Sequence, residues 1–190
     1  MKFIFIRHGE IDSNTRHIYS GRSQESLNAS GVAQAINVAR SLKNAGISHL
    51  YCGPLPRVIE TAEHISAETG VELVKMDAFN ELAMGPWEGL SEEEVAKQFP
   101  EDWRIWNTTP AALVLQCRET LAQLQKRALA GLAEVITRSP GAQKICVVSH
   151  VAVIRVIQLF AEQRALDEYK RLRVPNATPI ILDINENKLS

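Results

Sequence analysis

Residues 3–10 of the chain read FIFIRHGE, and this stretch decides the fold class. Its four apolar residues form an unbroken run, which is typical of a strand buried on both faces of a parallel sheet. Arg7, His8 and Gly9 follow directly, so the strand ends in a guanidinium and an imidazole. We therefore expect a buried strand that brings these two side chains to one edge of a sheet.

The rest of the chain alternates between helical and extended patterns. Apolar residues recur at helical spacing in residues 32–42, 55–65, 121–135 and 151–160. Short apolar runs predict further strands at residues 48–52, 71–74, 144–149 and 179–184. This alternation favours an α/β fold, a three-layer αβα sandwich with a mostly parallel central sheet, in a single domain that covers residues 1–190.

Residues 80–115 form the least regular segment and are rich in Trp, Glu and Pro. A segment of this length between a strand and a long helix is usually a lid or a substrate-facing excursion, and we expect a lid-like insertion here. A surface insertion without a role is the alternative. The tryptophans either cover a substrate that carries a ring or, as we favour, pack the insertion onto the core.

Composition argues against several classes of partner. The net charge of the 190 residues is −1, without a basic field, so we expect no nucleic-acid partner. No apolar run approaches the length of a membrane span or a signal peptide, which predicts a cytoplasmic protein without a membrane partner. The cysteines, Cys52, Cys117 and Cys146, lie in or near apolar stretches and are expected to be reduced core thiols.

Polar side chains follow the predicted strands at equivalent places. They are Arg7 and His8 after the first strand, Arg57 after the second, Glu81 after the third and His150 after the fourth. Each alone is readily explained as an ordinary surface or core residue. The carboxyl ends of parallel strands share one edge, however, so these side chains should meet in one crevice. Two guanidiniums, with the backbone amides that begin at Val151, would suit a phosphate monoester dianion.

Signatures of other chemistries do not occur in the sequence. It contains no HExxH motif, no cluster of His and Cys, no P-loop or GxGxxG pattern, and no GxSxG elbow. We therefore expect neither a metal nor a cofactor, and no serine nucleophile.

Several short blocks resemble the motifs of one family. They are RHGE with Asn14 and with Gly21 of YSGRS, LNASGVAQA at 27–35, GPLPRVIETA at 53–62, NELAMGPWEG at 80–89 and VVSHVAVIR at 147–155. In this order they resemble the histidine phosphatase superfamily, also called phosphoglycerate mutase-like. The length of the chain is similar to that of the small phosphatases in it, such as the α-ribazole phosphatases.

The resemblance implies a phosphoglycerate mutase-like fold and a role for each residue of the crevice. His8 would become a phosphohistidine, and Glu81 would protonate the leaving oxygen. The phosphoryl group would be held by Arg7, Asn14, Arg57, His150 and the backbone at Val151, with His150 counted as catalytic too. Ser20 and Gly21 would line the mouth of the site and contact the substrate.

The chain also departs from the family pattern. Val151 and Ala152 replace the usual pair of glycines, and Ile11 replaces a polar residue. A later segment is reduced to LQCRET at 115–120, although Glu119 and Arg127 remain in place. Since Val resists positive φ, the turn after His150 should be an ordinary one.

Three functions are compatible with these residues. The first is a metal-independent phosphomonoesterase, a hydrolase of the histidine acid phosphatase type, acting on a small phosphorylated metabolite. The second is phosphoryl transfer of the phosphoglycerate mutase type. The third is a catalytically weak module that binds phosphorylated ligands or a protein. Glu81 argues against the third, because a carboxylate repels phosphate. The sequence is compatible with a homodimer, although no residue pattern indicates one.

Overall fold

The computed structural model describes residues 1–189, and a five-stranded sheet forms its centre. The strands are β1 (Lys2–Arg7), β2 (His49–Cys52), β3 (Leu73–Lys75), β4 (Lys144–Ser149) and β5 (Pro179–Asp183). Their order across the sheet is β3-β2-β4-β1-β5. All neighbours are parallel except β5, which runs antiparallel to β1 at the edge. The mostly parallel sheet is confirmed.

Seven α-helices connect and cover the strands in the described part of the chain. They are α1 (Asp12–Thr15), α2 (Ala29–Leu42), α3 (Pro56–Thr69), α4 (Glu92–Gln98), α5 (Pro100–Thr108), α6 (Leu121–Arg138) and α7 (Val151–Ala161). Local sequence explains several of their ends. The Asn28 side chain accepts from the Gly31 amide at the start of α2, and Pro56 occupies the first turn of α3. Gly70, at φ 72°, ends α3 in the left-handed conformation.

Two hydrophobic clusters lie on opposite faces of the sheet. Phe3 and Phe5 belong to the cluster that contains the buried residues of α6 and α7. Ile4 and Ile6 belong to the cluster that contains the buried residues of α2 and α3. Successive side chains of a strand point to opposite faces, so the apolar run of β1 is unbroken because both faces are covered. The three-layer αβα sandwich is therefore confirmed.

Two details of the prediction were wrong. The strand predicted at 71–74 lies at Leu73–Lys75, because residues 71 and 72 belong to the connection that follows Gly70. Cys52 and Cys146 are buried as expected, but Cys117 is exposed. It lies outside the helices and strands, in a turn where its φ is 61°, so it is no core residue.

Residues 80–115 contain α4, α5 and two short 3₁₀ helices at Gly85–Trp87 and Pro110–Ala112. Trp87 and Trp106 are buried, with ring centres 6.2 Å apart, and Trp103 packs against Trp87 at 6.4 Å. The tryptophans thus join the segment to the core. That residues 80–115 act as a lid remains a prediction. Among residues 1–189, no helix combines the length and the apolar character needed to cross a membrane.

Candidate active site

A cavity of about 490 Å³ opens where β1 and β4 end. Seven of the predicted site residues line it, namely Arg7, His8, Asn14, Ser20, Gly21, Glu81 and Val151. The other two, Arg57 and His150, are fully buried. The ring centre of His150 lies 5.3 Å from that of His8, so residues from separate strands do meet in one place.

Two glycines fix the course of the chain after β1. A Cβ atom on Gly9 would come within 2.4 Å of the Gly31 carbonyl oxygen, and one on Gly31 within 2.1 Å of the Glu10 oxygen. Both distances are shorter than any van der Waals contact, so only glycine permits this approach of backbone to backbone. The Gly9 amide also donates to the Thr61 hydroxyl at 3.0 Å. His8 therefore lies on a segment clamped between α2 and α3.

The His8 ring is held in one tautomer. Its Nδ1 lies 2.7 Å from the Gly9 carbonyl oxygen. Because a carbonyl only accepts, Nδ1 carries the hydrogen and Nε2 keeps its lone pair. Burial lowers the pKa of His8 well below its usual value, and the charges of Arg7 and Arg57 lower it further. The imidazole is thus neutral, and one nitrogen is available as a nucleophile.

Two guanidiniums flank the histidines, that of Arg57 fully buried and that of Arg7 half-buried. Arg7 donates to the Val174 carbonyl at 3.1 Å, while Arg57 donates to Ser23 at 2.8 Å and Gly21 at 2.7 Å. The Nε atoms of both arginines are buried and have no partner among the described residues. Burial lowers the pKa of Arg7 to about 10, so it stays charged at neutral pH. Within residues 1–189, neither guanidinium forms an ion pair with a carboxylate, so both have positive charge available for an anionic ligand.

His150 precedes the first turn of α7. Its φ is −117°, and neither Val151 nor Ala152 has a positive φ, so the turn is the ordinary one that we expected. Both ring nitrogens of His150 are buried without a partner in residues 1–189. Burial, with Arg57 next, lowers the pKa of His150 far below its usual value. A neutral imidazole with unpartnered nitrogens indicates a place for a ligand.

Glu81 faces the histidines from the segment after β3. Its Oε1 accepts from the Leu82 amide at 2.7 Å, and its Oε2 lies 4.0 Å from Nδ1 of His150. Burial raises the pKa of Glu81, outweighing the lowering by the Leu82 N–H and by Arg57. The side chain is suited to remain a protonated acid at a higher pH than an exposed carboxyl.

Arg127 on α6 fixes the backbone around Glu81. Its guanidinium donates to the carbonyls of Ala78 at 2.8 Å, Asn80 at 2.9 Å and Glu81 at 3.2 Å. It also pairs with Glu119 at 2.7 Å. The two residues retained from the degraded LQCRET region thus hold the loop that carries the candidate acid.

Some residues of the site carried no recognisable signal in the sequence. The Asn176 amide donates to the His8 carbonyl at 2.9 Å and to the Asn14 side chain at 3.0 Å. Lys170 also lines the cavity, although it belongs to no matching block. Arg155 lines it as well and does end the VVSHVAVIR block, so a role could have been sought there.

The geometry agrees with comparisons to known proteins. Residues 3–190 match the model of the histidine phosphatase superfamily (branch 1). The chain therefore belongs to this superfamily, and the family that the motifs indicated is confirmed.

Named relatives include phosphatases and a mutase. The chain is 29% identical over 188 residues to phosphoserine phosphatase 1 of Hydrogenobacter thermophilus, covering 99% of this chain and 89% of the relative. It is 28% identical over 191 residues to a 2,3-bisphosphoglycerate-dependent phosphoglycerate mutase of Bartonella tribocorum, covering 96% and 91%. Among solved structures, the α-ribazole phosphatase of Shigella flexneri has the same fold, with a TM-score of 0.86 at 23% identity over 97% and 91% of the two chains.

Proposed function

We propose that the protein is a metal-independent phosphomonoesterase that hydrolyses a small phosphorylated metabolite through a phosphohistidine at His8. The observation that carries the proposal is the set of unpartnered buried nitrogens around that ring. They are Nε of Arg7, Nε of Arg57 and both ring nitrogens of His150. Buried polar groups normally have hydrogen-bond partners, and phosphoryl oxygens can accept from the two arginine Nε–H groups and from the one N–H group of the neutral His150 ring.

In the first step, the lone pair on Nε2 of His8 attacks phosphorus. The N–P bond forms while the bond to the ester oxygen breaks, and Glu81 gives its proton to that oxygen. The charge of the transition state spreads over the equatorial oxygens, where Arg7 and Arg57 stabilise it. The Nδ1–H bond to Gly9 holds the ring in the reactive tautomer throughout.

In the second step, a water molecule attacks the phosphohistidine. The Glu81 carboxylate takes a proton from the water, the N–P bond breaks, and inorganic phosphate and neutral His8 result. The same carboxyl serves as acid and then as base, which requires a pKa raised toward neutrality. The raised pKa of buried Glu81 supports this pair of roles.

Phosphoryl transfer between two positions of a phosphoglycerate is the second candidate. It is favoured by the similarity to the Bartonella mutase over almost the whole chain. A mutase would use the same His8 and Glu81 but would return the phosphoryl group to an organic hydroxyl rather than to water.

The test is hydrolysis of p-nitrophenyl phosphate by EDTA-treated protein, with the His8→Ala variant as its control. Metal-free activity that disappears in the variant supports the proposal. A His8→Ala variant that folds and keeps its activity would overturn it. A parallel assay for interconversion of 2- and 3-phosphoglycerate identifies a mutase, and phosphate binding without either reaction identifies a non-catalytic module.

A further inference from the structure

The cavity extends beyond the phosphate pocket to a wall that carries two more cations. Arg155 and Lys170 both line it. The guanidinium of Arg155 lies 4.9 Å from the Tyr169 ring centre, and Nζ of Lys170 lies 5.8 Å from that of Trp106. The two rings are themselves 5.2 Å apart. Both cations therefore lie on one continuous aromatic surface that faces the cavity.

The partners of these cations are neutral. Nε of Arg155 donates to the Leu172 carbonyl at 3.0 Å, and Nζ of Lys170 donates to the Asn107 side chain. Within residues 1–189, neither forms an ion pair with a carboxylate. Arg155 is half-buried and Lys170 is exposed, so both cations have charge available for a ligand in the cavity.

The charge of Arg155 acts both on Arg7 in the phosphate pocket and on Lys170. Burial is the largest cause that lowers the pKa of Arg7 and that of Lys170. The positive charge of Arg155 lowers both pKa values further. A second anionic group on the substrate would relieve this repulsion. Glu92, which lines the same cavity, raises the pKa of Lys170. Its negative charge favours a singly charged group over a second phosphate dianion at this end.

We propose that Arg155 and Lys170 form a carboxylate subsite, so that the substrate is a small phosphomonoester whose alcohol part carries a carboxylate. This inference rests on the proposed function for the position of the phosphate. A guanidinium and an ammonium on one wall suit the two oxygens of a carboxylate, while Trp106 and Tyr169 contact the carbon chain between the two charged ends.

The test compares two esters that differ at one carbon: 3-phosphoglycerate carries a carboxylate where glycerol 3-phosphate carries a hydroxymethyl group. Their dissociation constants are measured by calorimetry with the His8→Ala variant, which holds the esters without turning them over. We expect 3-phosphoglycerate to bind about tenfold more tightly, the effect of one charge-assisted contact.

Lys170→Met, made in the same background, keeps the apolar stem over the tryptophans and removes the charge. It should reduce the preference for 3-phosphoglycerate to about threefold, because Arg155 remains, whereas Lys126→Met, at an exposed position of α6 away from the cavity, should preserve the tenfold preference. Equal affinities of the starting variant for the two esters, or an undiminished tenfold preference in Lys170→Met, would overturn the subsite.

Failure of the proposed function has a separate signature. Wild-type protein that releases no phosphate from p-nitrophenyl phosphate contradicts the phosphatase assignment. A carboxylate preference that depends on Lys170 would still support the subsite in that case, because the binding measurement needs no turnover.

Discussion

Replacement of Glu81 by glutamine should separate substrates by their leaving groups. The Gln amide has nearly the same shape and keeps an oxygen to accept from the Leu82 amide, so the change removes the acid and base function while it preserves this contact. For an alkyl ester such as 3-phosphoglycerate, kcat/KM should fall by about 10²–10⁴-fold, the usual contribution of a general acid. For p-nitrophenyl phosphate, whose leaving anion is stable without a proton, the fall should be less than about tenfold.

The assay measures kcat/KM for both esters, because this ratio reports the steps up to formation of the phosphohistidine. Loss of the base in the second step should also make phosphoenzyme accumulate, visible as a burst of p-nitrophenol. In the wild type, the rate with the alkyl ester should decline as Glu81 ionises, at a pH above that of an ordinary carboxyl because its pKa is raised. An equal loss for both esters would refute the role of Glu81 as acid.

Three further predictions concern the supports of the site. Gly9→Ala should lower the free energy of unfolding by about 1–3 kcal/mol, because the added Cβ would collide with the Gly31 carbonyl oxygen. Urea denaturation measures this change, and an unchanged midpoint would contradict the close approach. Arg127→Lys should reduce kcat/KM for alkyl esters more than for p-nitrophenyl phosphate, since it acts through Glu81, while Arg104→Lys on the surface of α5 serves as the neutral control. The free energy of unfolding of Glu81→Gln should increase relative to that of the wild type as the pH rises above 4.5. The raised pKa of Glu81 means that the wild type loses stability as this carboxyl ionises in the folded state. Parallel curves of unfolding free energy against pH would exclude this.

The parts predicted from sequence share one physical basis. The strand β1 was recognisable because burial on both faces demands an unbroken apolar run, and its parallel pairing with β4 aligns Arg7 with Ser149, next to His150. The meeting of His8 and His150 follows from that register. These features depend on periodicity and strand direction, both of which can be predicted from short segments of the sequence.

The parts that were missed depend on tertiary packing. Asn176 reaches His8 because it lies just before β5, which pairs with β1, and itself forms a parallel bridge with Arg7. No local sequence pattern predicts this pairing. Lys170 lies in a short 3₁₀ helix without periodicity, and its role depends on Trp106 from a distant segment. The exposure of Cys117 was missed although its immediate neighbours, Gln116 and Arg118, are polar, because the apolar residues before Gln116 were given too much weight.

The departures from the family motif can be judged by which atoms the site uses. Val151 and Ala152 replace two glycines at the start of α7, where no positive φ is required. Their backbone amides therefore remain available although the residue types differ. Arg7, Arg57 and His150 match the motif, and their side-chain nitrogens are the ones left buried without partners. The replacement of the two glycines therefore keeps the backbone donors, while Ile11, which replaces a polar residue, is fully buried. A module that only binds phosphate would gain nothing from the buried carboxyl of Glu81 beside these nitrogens, because a carboxylate repels phosphate, and this argues against that alternative.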